Sequence, residues 1–202
     1  GEPLAVRTGA RGRQAREWIV ELPAAGTLRL EYGGTLPALD RCVDHRQVLQ
    51  ALAPMASPEG SYLGSSSGWY PYPGEPFSYR VALTVRGAGQ KGLVAGALSS
   101  EQAGADAYRA RFEYAPPAEG IDLMAGPYQV SEKMLRLQGK PMRLRTYFFA
   151  ELAPLAEGYL EDSARYLERF SLRIGAYPFS EFSVVASPLP SGFGMPTLTY
   201  LG

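Results

Sequence analysis

Residues Phe77–Arg86 read FSYRVALTVR, and their alternation decides the fold class. Phe77, Tyr79, Val81, Leu83 and Val85 fall on one side of an extended chain, the period-two pattern of a half-buried strand. Outward from this segment, alternating, β-branched or aromatic runs bounded by Gly, Pro and Ser predict further strands at 17–22, 27–32, 93–98, 107–114, 126–130 and 142–149. Pro23 to Gly26 would turn the first of these into the second. Short strands, tight turns and no crossover helices predict an antiparallel sandwich or saddle-shaped sheet over residues 1–150. Within it, residues 46–55 read as a short helix or an excursion. The basic run Arg7, Arg11, Arg13 and Arg16, broken by Gly9 and Gly12, reads as a solvated loop.

The character of the chain changes near residue 151. Ala156, Leu160, Ala164, Leu167, Phe170 and Ile174 recur at steps of three and four, one stripe of an amphipathic helix over 154–175. Pro154 suits its first turn and Gly175 its C-terminal cap, while Glu161 and Arg165 are spaced to pair on the wet side. Tyr177-Pro178-Phe179 then ends the helix before a strand at 182–186. A domain boundary is expected between about 149 and 154, separating a β domain, 1–150, from the opening of a second domain, 151–202.

Composition narrows the functional classes. Twenty Lys and Arg balance twenty Asp and Glu, which argues against nucleic acid or an anionic membrane surface as the main partner, since such sites need a cationic excess. No apolar stretch approaches the roughly 18 residues of a membrane span, and the start lacks the charged-then-apolar pattern of a signal peptide; an exported precursor would carry its signal upstream. One cysteine permits no internal disulfide. A catalytic zinc needs three ligands from His, Cys, Asp or Glu, and the chain has one histidine, His45, near its cysteine, Cys42. Without a second cluster the segment Cys42-Val43-Asp44-His45 reads as a polar loop, and no metal ligand set is expected here.

Other candidates carry less. Asp122, Glu132, Glu151, Glu161 and Asp162 form no pattern that specifies a carboxylate pair. Gly87-Ala88-Gly89 and Gly192-Phe193-Gly194 lack the rest of a phosphate loop, and Ser65-Ser66-Ser67 has no histidine in a nucleophile setting. Residues 60–73 (GSYLGSSSGWYPYP) place Trp69, Tyr70 and Tyr72 in an aromatic turn, either a platform for a sugar or a cap on the sandwich, stiffened by Pro71 and Pro73.

The last twelve residues, 191–202 (SGFGMPTLTYLG), add a specific resemblance. Gly194-Met195 and Leu198-Thr199-Tyr200 resemble the two ends of the Gly-X-Met-Glu-Asn … Leu-Thr-Tyr segment of aminopeptidase N and leukotriene hydrolase-like zinc metallopeptidases, gluzincins. The aromatic-proline turn, Gly126-Pro127-Tyr128, the helix, its Tyr-Pro-Phe exit and Val184-Val185 follow in the same order. The resemblance implies a mainly β fold, an antiparallel β-sandwich or saddle domain followed by the first helix and strands of a thermolysin-like α+β domain, cut before the His-Glu-x-x-His helix. It implies a longer protein that binds zinc and cleaves peptides, with the remaining catalytic domain and the peptide substrate as partners, and a chain that is inert by itself and shapes the substrate cleft. Gly192, Phe193, Gly194 and Met195 would line the cleft edge and bind substrate. The Glu-Asn pair is absent between Met195 and Pro196, so the family's anchor for a substrate amino group has no counterpart. Two other readings stay open: a β-sandwich that binds carbohydrate or protein through Trp69, Tyr70 and Tyr72, and a peptidase-like scaffold that has lost zinc.

Overall fold

In the computed structural model, which describes residues 4–11, 16–22, 26–40, 42–50 and 54–202, the alternating segment Phe77–Arg86 is a strand. Its odd-numbered residues are buried or half-buried and its even-numbered residues exposed, as the pattern requires. In chain order the elements are β1 (Val6–Arg11), β2 (Arg16–Val20), α1 (His45–Gln50), β3 (Met55–Ser57), β4 (Gly60–Leu63), β5 (Phe77–Arg86), β6 (Lys91–Val94) and β7 (Ala97–Ala103). They continue with β8 (Ala107–Ala118), β9 (Leu123–Gly126), β10 (Gln129–Leu137), β11 (Lys140–Phe148), α2 (Ala156–Arg173), β12 (Glu181–Ala186), β13 (Gly192–Met195) and β14 (Leu198–Leu201). The fold is mainly β, with several antiparallel sheets and one long helix.

Two sheets form the sandwich: β5-β8-β7, and β3-β4-β9-β6. Tyr79, Phe112 and Tyr114 from the first and Tyr62, Leu93 and Met124 from the second meet in one core. A third sheet, ordered β10-β11-β12-β14-β13, is mixed, because β12 runs parallel to both β11 and β14. Alternation gives this sheet two apolar faces. Tyr147, Val185, Leu198 and Tyr200 join the sandwich core; Met142, Leu144, Phe148 and Val184 face α2, where Leu160 and Ala156 cover them. Two of the five strands thus precede residue 150 and three follow it.

Several expectations need correction. The basic run is no loop: β1 and β2 pair as a hairpin, and exposed Arg7 pairs with Glu21; Arg13 lies outside the described residues, as do residues 23–25 of the expected turn at 23–26. Residues 27–32 form no strand, because no neighbouring strand bonds to them. The run 93–98 is split at Ala95-Gly96 into β6 and β7, and 126–130 is split by Pro127, which has no N–H for a ladder. Segment 46–55 holds α1 and the start of β3 on either side of residues 51–53, which lie outside the described residues.

The helix begins with a 3-10 turn at Ala153–Leu155 that places Pro154 in its first positions, and Gly175 follows its C-cap with φ of 138°. Its stripe is buried at Ala156 and Leu160 but leaves Phe170 and Ile174 exposed, because in the last turns the buried position is Ser171, whose carbonyl accepts from Gln138 Nε2 at 3.2 Å. Arg165 pairs with Asp162 at 2.6 Å, and Glu161 with Lys133 at 3.7 Å, which displaces the expected Glu161–Arg165 pair.

Candidate functional site: an open strand edge

The sequence-predicted site residues Gly192, Phe193, Gly194 and Met195 are together the strand β13, at one end of the five-stranded sheet. One side of β13 pairs with β14 in the register Phe193↔Tyr200, Gly194↔Thr199, Met195↔Leu198. Among the described residues no strand pairs with its other side. The Ser191 carbonyl accepts the Gly202 N–H at 2.7 Å. Antiparallel bonded pairs alternate by two, so the next fall at Phe193–Tyr200 and Met195–Leu198, and the N–H and C=O groups of Gly192 and Gly194 point out of the sheet along the open edge.

Side chains follow the same alternation. Phe193 and Met195 are half-buried against the sandwich core, and Phe193 stacks on Tyr62 (6.1 Å between centroids, 9° between planes), which stacks in turn on Tyr200 at 5.4 Å. Gly192 and Gly194 are exposed, and a Cβ at Gly194 would meet nothing within 4 Å. The outward positions are therefore bare backbone, which another chain can approach closely.

The hairpin closes on two residues, Pro196 and Thr197, between the paired Met195 and Leu198. Proline first and a positive φ second is the type II pattern, and the second position belongs to glycine or asparagine. Here it holds Thr197 at φ 69°, a conformation that β-branched residues avoid. Two hydrogen bonds fix it: the Gly96 N–H donates to Thr197 Oγ1 at 2.8 Å, in a buried contact, and the Ser183 N–H donates to the Thr197 carbonyl at 2.9 Å. Gly96 has its own constraint. Its φ is 127°, and a Cβ there would lie 2.6 Å from the Glu113 carbonyl oxygen.

A second clamp lies beside it. Glu181, at the start of β12, accepts the Leu98 N–H at 3.1 Å and pairs with Arg143, whose guanidinium also donates to the Leu98 carbonyl at 2.7 Å. A third comes from the N-terminal part of the chain. His45 Nδ1 donates to the Pro190 carbonyl at 2.9 Å, and Val48 packs on Leu189 just ahead of β13. Sequence reading missed Thr197, Gly96, Arg143 and Glu181; the two-residue gap between the apolar pair Met195 and Leu198 was the available signal for the turn.

Burial sets the electrostatics of the aromatic stack. The Tyr62 hydroxyl is pushed well above its ordinary value by burial and by Asp122, to which it donates at 3.1 Å. Burial raises Tyr200 to about 12; its hydroxyl has no partner in hydrogen-bond geometry. Both stay neutral near pH 7, so the stack behind Phe193 carries no charge there.

The remaining candidates are dispersed. Trp69 donates its indole N–H to the Ile121 carbonyl at 3.0 Å and Tyr70 accepts the Ile121 N–H at 3.0 Å, so two rings of the aromatic turn are spent on one backbone segment. Tyr72 packs edge-on against Phe77. Asp122 is held by Tyr62 and Ser65, Glu132 by Arg145, Asp162 by Arg165, and Glu151 is exposed. Cys42 is exposed, and no three of His, Cys, Asp and Glu converge on one point among the described residues. The described residues do not fit a zinc ion.

No protein-family model and no curated protein sequence matches the chain. Solved structures do. An M1 zinc metallopeptidase from Deinococcus radiodurans superposes with a TM-score of 0.70 at 21% identity, over 98% of this chain and 47% of its own. A mutant M1 zinc metallopeptidase from the same organism, bound to a Tyr-Ser-Ala substrate, gives 0.71 at 21% identity over 98% and 48%. A two-domain M1 zinc metallopeptidase mutant bound to L-arginine gives 0.71 at 21% identity over 97% and 47%. The chain spans about half the length of these structures. Their likeness to it extends over nearly all of its described architecture, and the chain has the fold of the N-terminal region of M1 zinc metallopeptidases.

Proposed function

We propose that this chain is one wall of the substrate cleft of a zinc-dependent peptidase, with residues 1–150 as a non-catalytic β domain and 151–202 as the opening of the catalytic domain. The division is one of roles, because the third sheet draws strands from both sides of it. In this reading Gly192, Phe193, Gly194 and Met195 receive an extended peptide by strand addition, the outward N–H and C=O groups of Gly192 and Gly194 supplying the hydrogen bonds. Phe193 and Met195 hold the strand from behind. Zinc and the carboxylate that activates its water come from polypeptide outside residues 1–202, so the chain alone hydrolyses nothing. The observation that carries the proposal is the open, glycine-faced edge of β13 in a fold shared with peptidases, one of which binds a tripeptide.

The test is direct. Tyr-Ser-Ala, and the same tripeptide with its N-terminus acetylated, are titrated into the 15N-labelled chain while amide shifts and exchange are followed. Slowed exchange at Gly192 and Gly194, with Gly33 and Gly34 unchanged, is the expected result; unchanged edge amides at millimolar peptide sink the proposal. Equal binding of the acetylated peptide is expected too, because Pro196 and Thr197 offer no carboxylate to a free amine. Zinc content and hydrolysis by a longer form of the protein then separate a working peptidase from a scaffold that only binds. The carbohydrate reading is disfavoured by the internal use of Trp69 and Tyr70.

A further inference from the structure

Residues 27–32 (TLRLEY) alternate as a strand does, yet they lie in irregular chain with their apolar side chains partly in water: Leu28, Leu30 and Tyr32 are 38%, 48% and 62% exposed. Arg29 and Glu31 occupy the other side, 2.7 Å apart and both well exposed. Among the described residues, none of the backbone groups of 27–32 bonds to another backbone group. A segment whose backbone groups have no backbone partner among the described residues, and whose apolar residues alternate, is a template for strand pairing.

The segment's own sequence specifies a partner. When two copies run antiparallel about a two-fold axis through Leu30, Arg29 of each copy falls opposite Glu31 of the other, Leu28 opposite Tyr32, and Leu30 opposite Leu30. Both charge pairs are then complementary, and six apolar side chains gather on one side of the ribbon; opposite charges and aromatic–aliphatic pairs directly across a ladder favour pairing. A parallel arrangement in register would set Arg29 against Arg29 and Glu31 against Glu31, which like-charge repulsion opposes. The symmetry is isologous and closes at two copies.

We infer that residues 27–32 are a homodimerisation strand, through which a second copy of this chain adds by antiparallel pairing centred on Leu30. The interface is small, so association is expected only at about 10 μM and above, the weak end of specific interfaces. Sedimentation equilibrium from about 1 μM to about 1 mM spans that range. Dimer should form reversibly, and amides 28–32 should gain exchange protection with concentration. Arg29→Glu and Glu31→Arg should each weaken dimerisation about tenfold or more, since each sets two like-charge pairs across the ladder, and the double swap should restore it. These side chains are exposed, and unchanged thermal midpoints of the variants at low concentration will confirm that folding is unaffected. A chain that stays monomeric at 1 mM overturns the inference. So does a dimer indifferent to the charge reversals, or protection of 28–32 that is independent of concentration, which would mean pairing within one polypeptide.

Discussion

Substitutions at Thr197 separate two effects that the turn combines. Valine has nearly the same shape, keeps the branch at Cβ and so the strain at φ 69°, but removes the acceptor for the buried Gly96 N–H. An unsatisfied buried N–H costs about 1–3 kcal/mol, so Thr197→Val is expected to destabilise the chain by about 2 kcal/mol. Serine keeps the hydroxyl and loses only a methyl group, for a cost of about 0.5 kcal/mol. Glycine also loses the acceptor, but it relieves a positive φ that costs about 1 kcal/mol or more, leaving a net loss near 1 kcal/mol. The expected order of stability is Thr, Ser, Gly, Val. For a domain of this size 2 kcal/mol corresponds to a fall in Tm of about 4–8 °C. Urea unfolding followed by tryptophan fluorescence gives the free energies, and hydrogen exchange at the Gly96 amide reports the bond itself. If valine proves no worse than serine, the Thr197–Gly96 bond does not hold the hairpin. If glycine is worse than valine, the strain argument fails.

Three further expectations rest on the same clamps and the rings behind them. Gly96→Ala combines a forbidding φ with a 2.6 Å approach to the Glu113 carbonyl and should cost about 3 kcal/mol or more, read by the same urea titration. Glu181→Leu strands the Arg143 guanidinium and the Leu98 N–H, a loss of about 3 kcal/mol; Glu181→Gln keeps an acceptor for Leu98 and should lose about half of that, a difference calorimetry will show as unequal falls in Tm. At alkaline pH the folded chain keeps the Tyr200 proton up to about 12, whereas the unfolded chain releases it near its ordinary value of 10. Tyr200's contribution is therefore complete below pH 10 and lost between 10 and about 12, at up to roughly 1.4 kcal/mol per pH unit. Tyr200→Phe should remove one proton from that slope at little cost near pH 7, because the hydroxyl makes no hydrogen bond; an unchanged slope in alkaline denaturation refutes the assignment.

Legibility followed burial. Phe77–Arg86 could be read because one face is buried and the other wet along its whole length, and the helix could be read because Ala156 and Leu160 sit on a sheet. The break at Gly96 was hidden inside an apolar run, since nothing in Leu93 to Leu98 announces that the chain must pass within van der Waals contact of the Glu113 carbonyl. Residues 27–32 carried a strand's alternation and formed none, because a pattern of side chains creates a demand for a partner without supplying it. At the candidate site the four residues of β13 were legible from Gly-Phe-Gly-Met, but the outward direction of the glycine amides depends on register, and register was fixed by the Pro196-Thr197 turn. Arg143 and Glu181 were illegible for a different reason: their partner is the backbone of Leu98, distant in sequence.

These contacts have a common consequence for the edge strand. β13 is only four residues long, and its glycines contribute no side-chain contacts to hold it. An isolated two-stranded hairpin of that kind is marginal in water. What fixes it lies in the earlier part of the chain: Tyr62 against Phe193, Gly96 against Thr197, Leu98 against the strand next to β14, and His45 against Pro190. In the proposed role, this arrangement resolves a conflict between two requirements. An edge that accepts a substrate backbone must be bare and unpaired, which makes it unstable alone, whereas hydrogen bonding to an extended peptide needs it held to a fixed register. Carrying the rigidity in the sandwich and leaving the edge itself to glycine satisfies both, and it gives the sandwich a part in binding without requiring from it any reactive group.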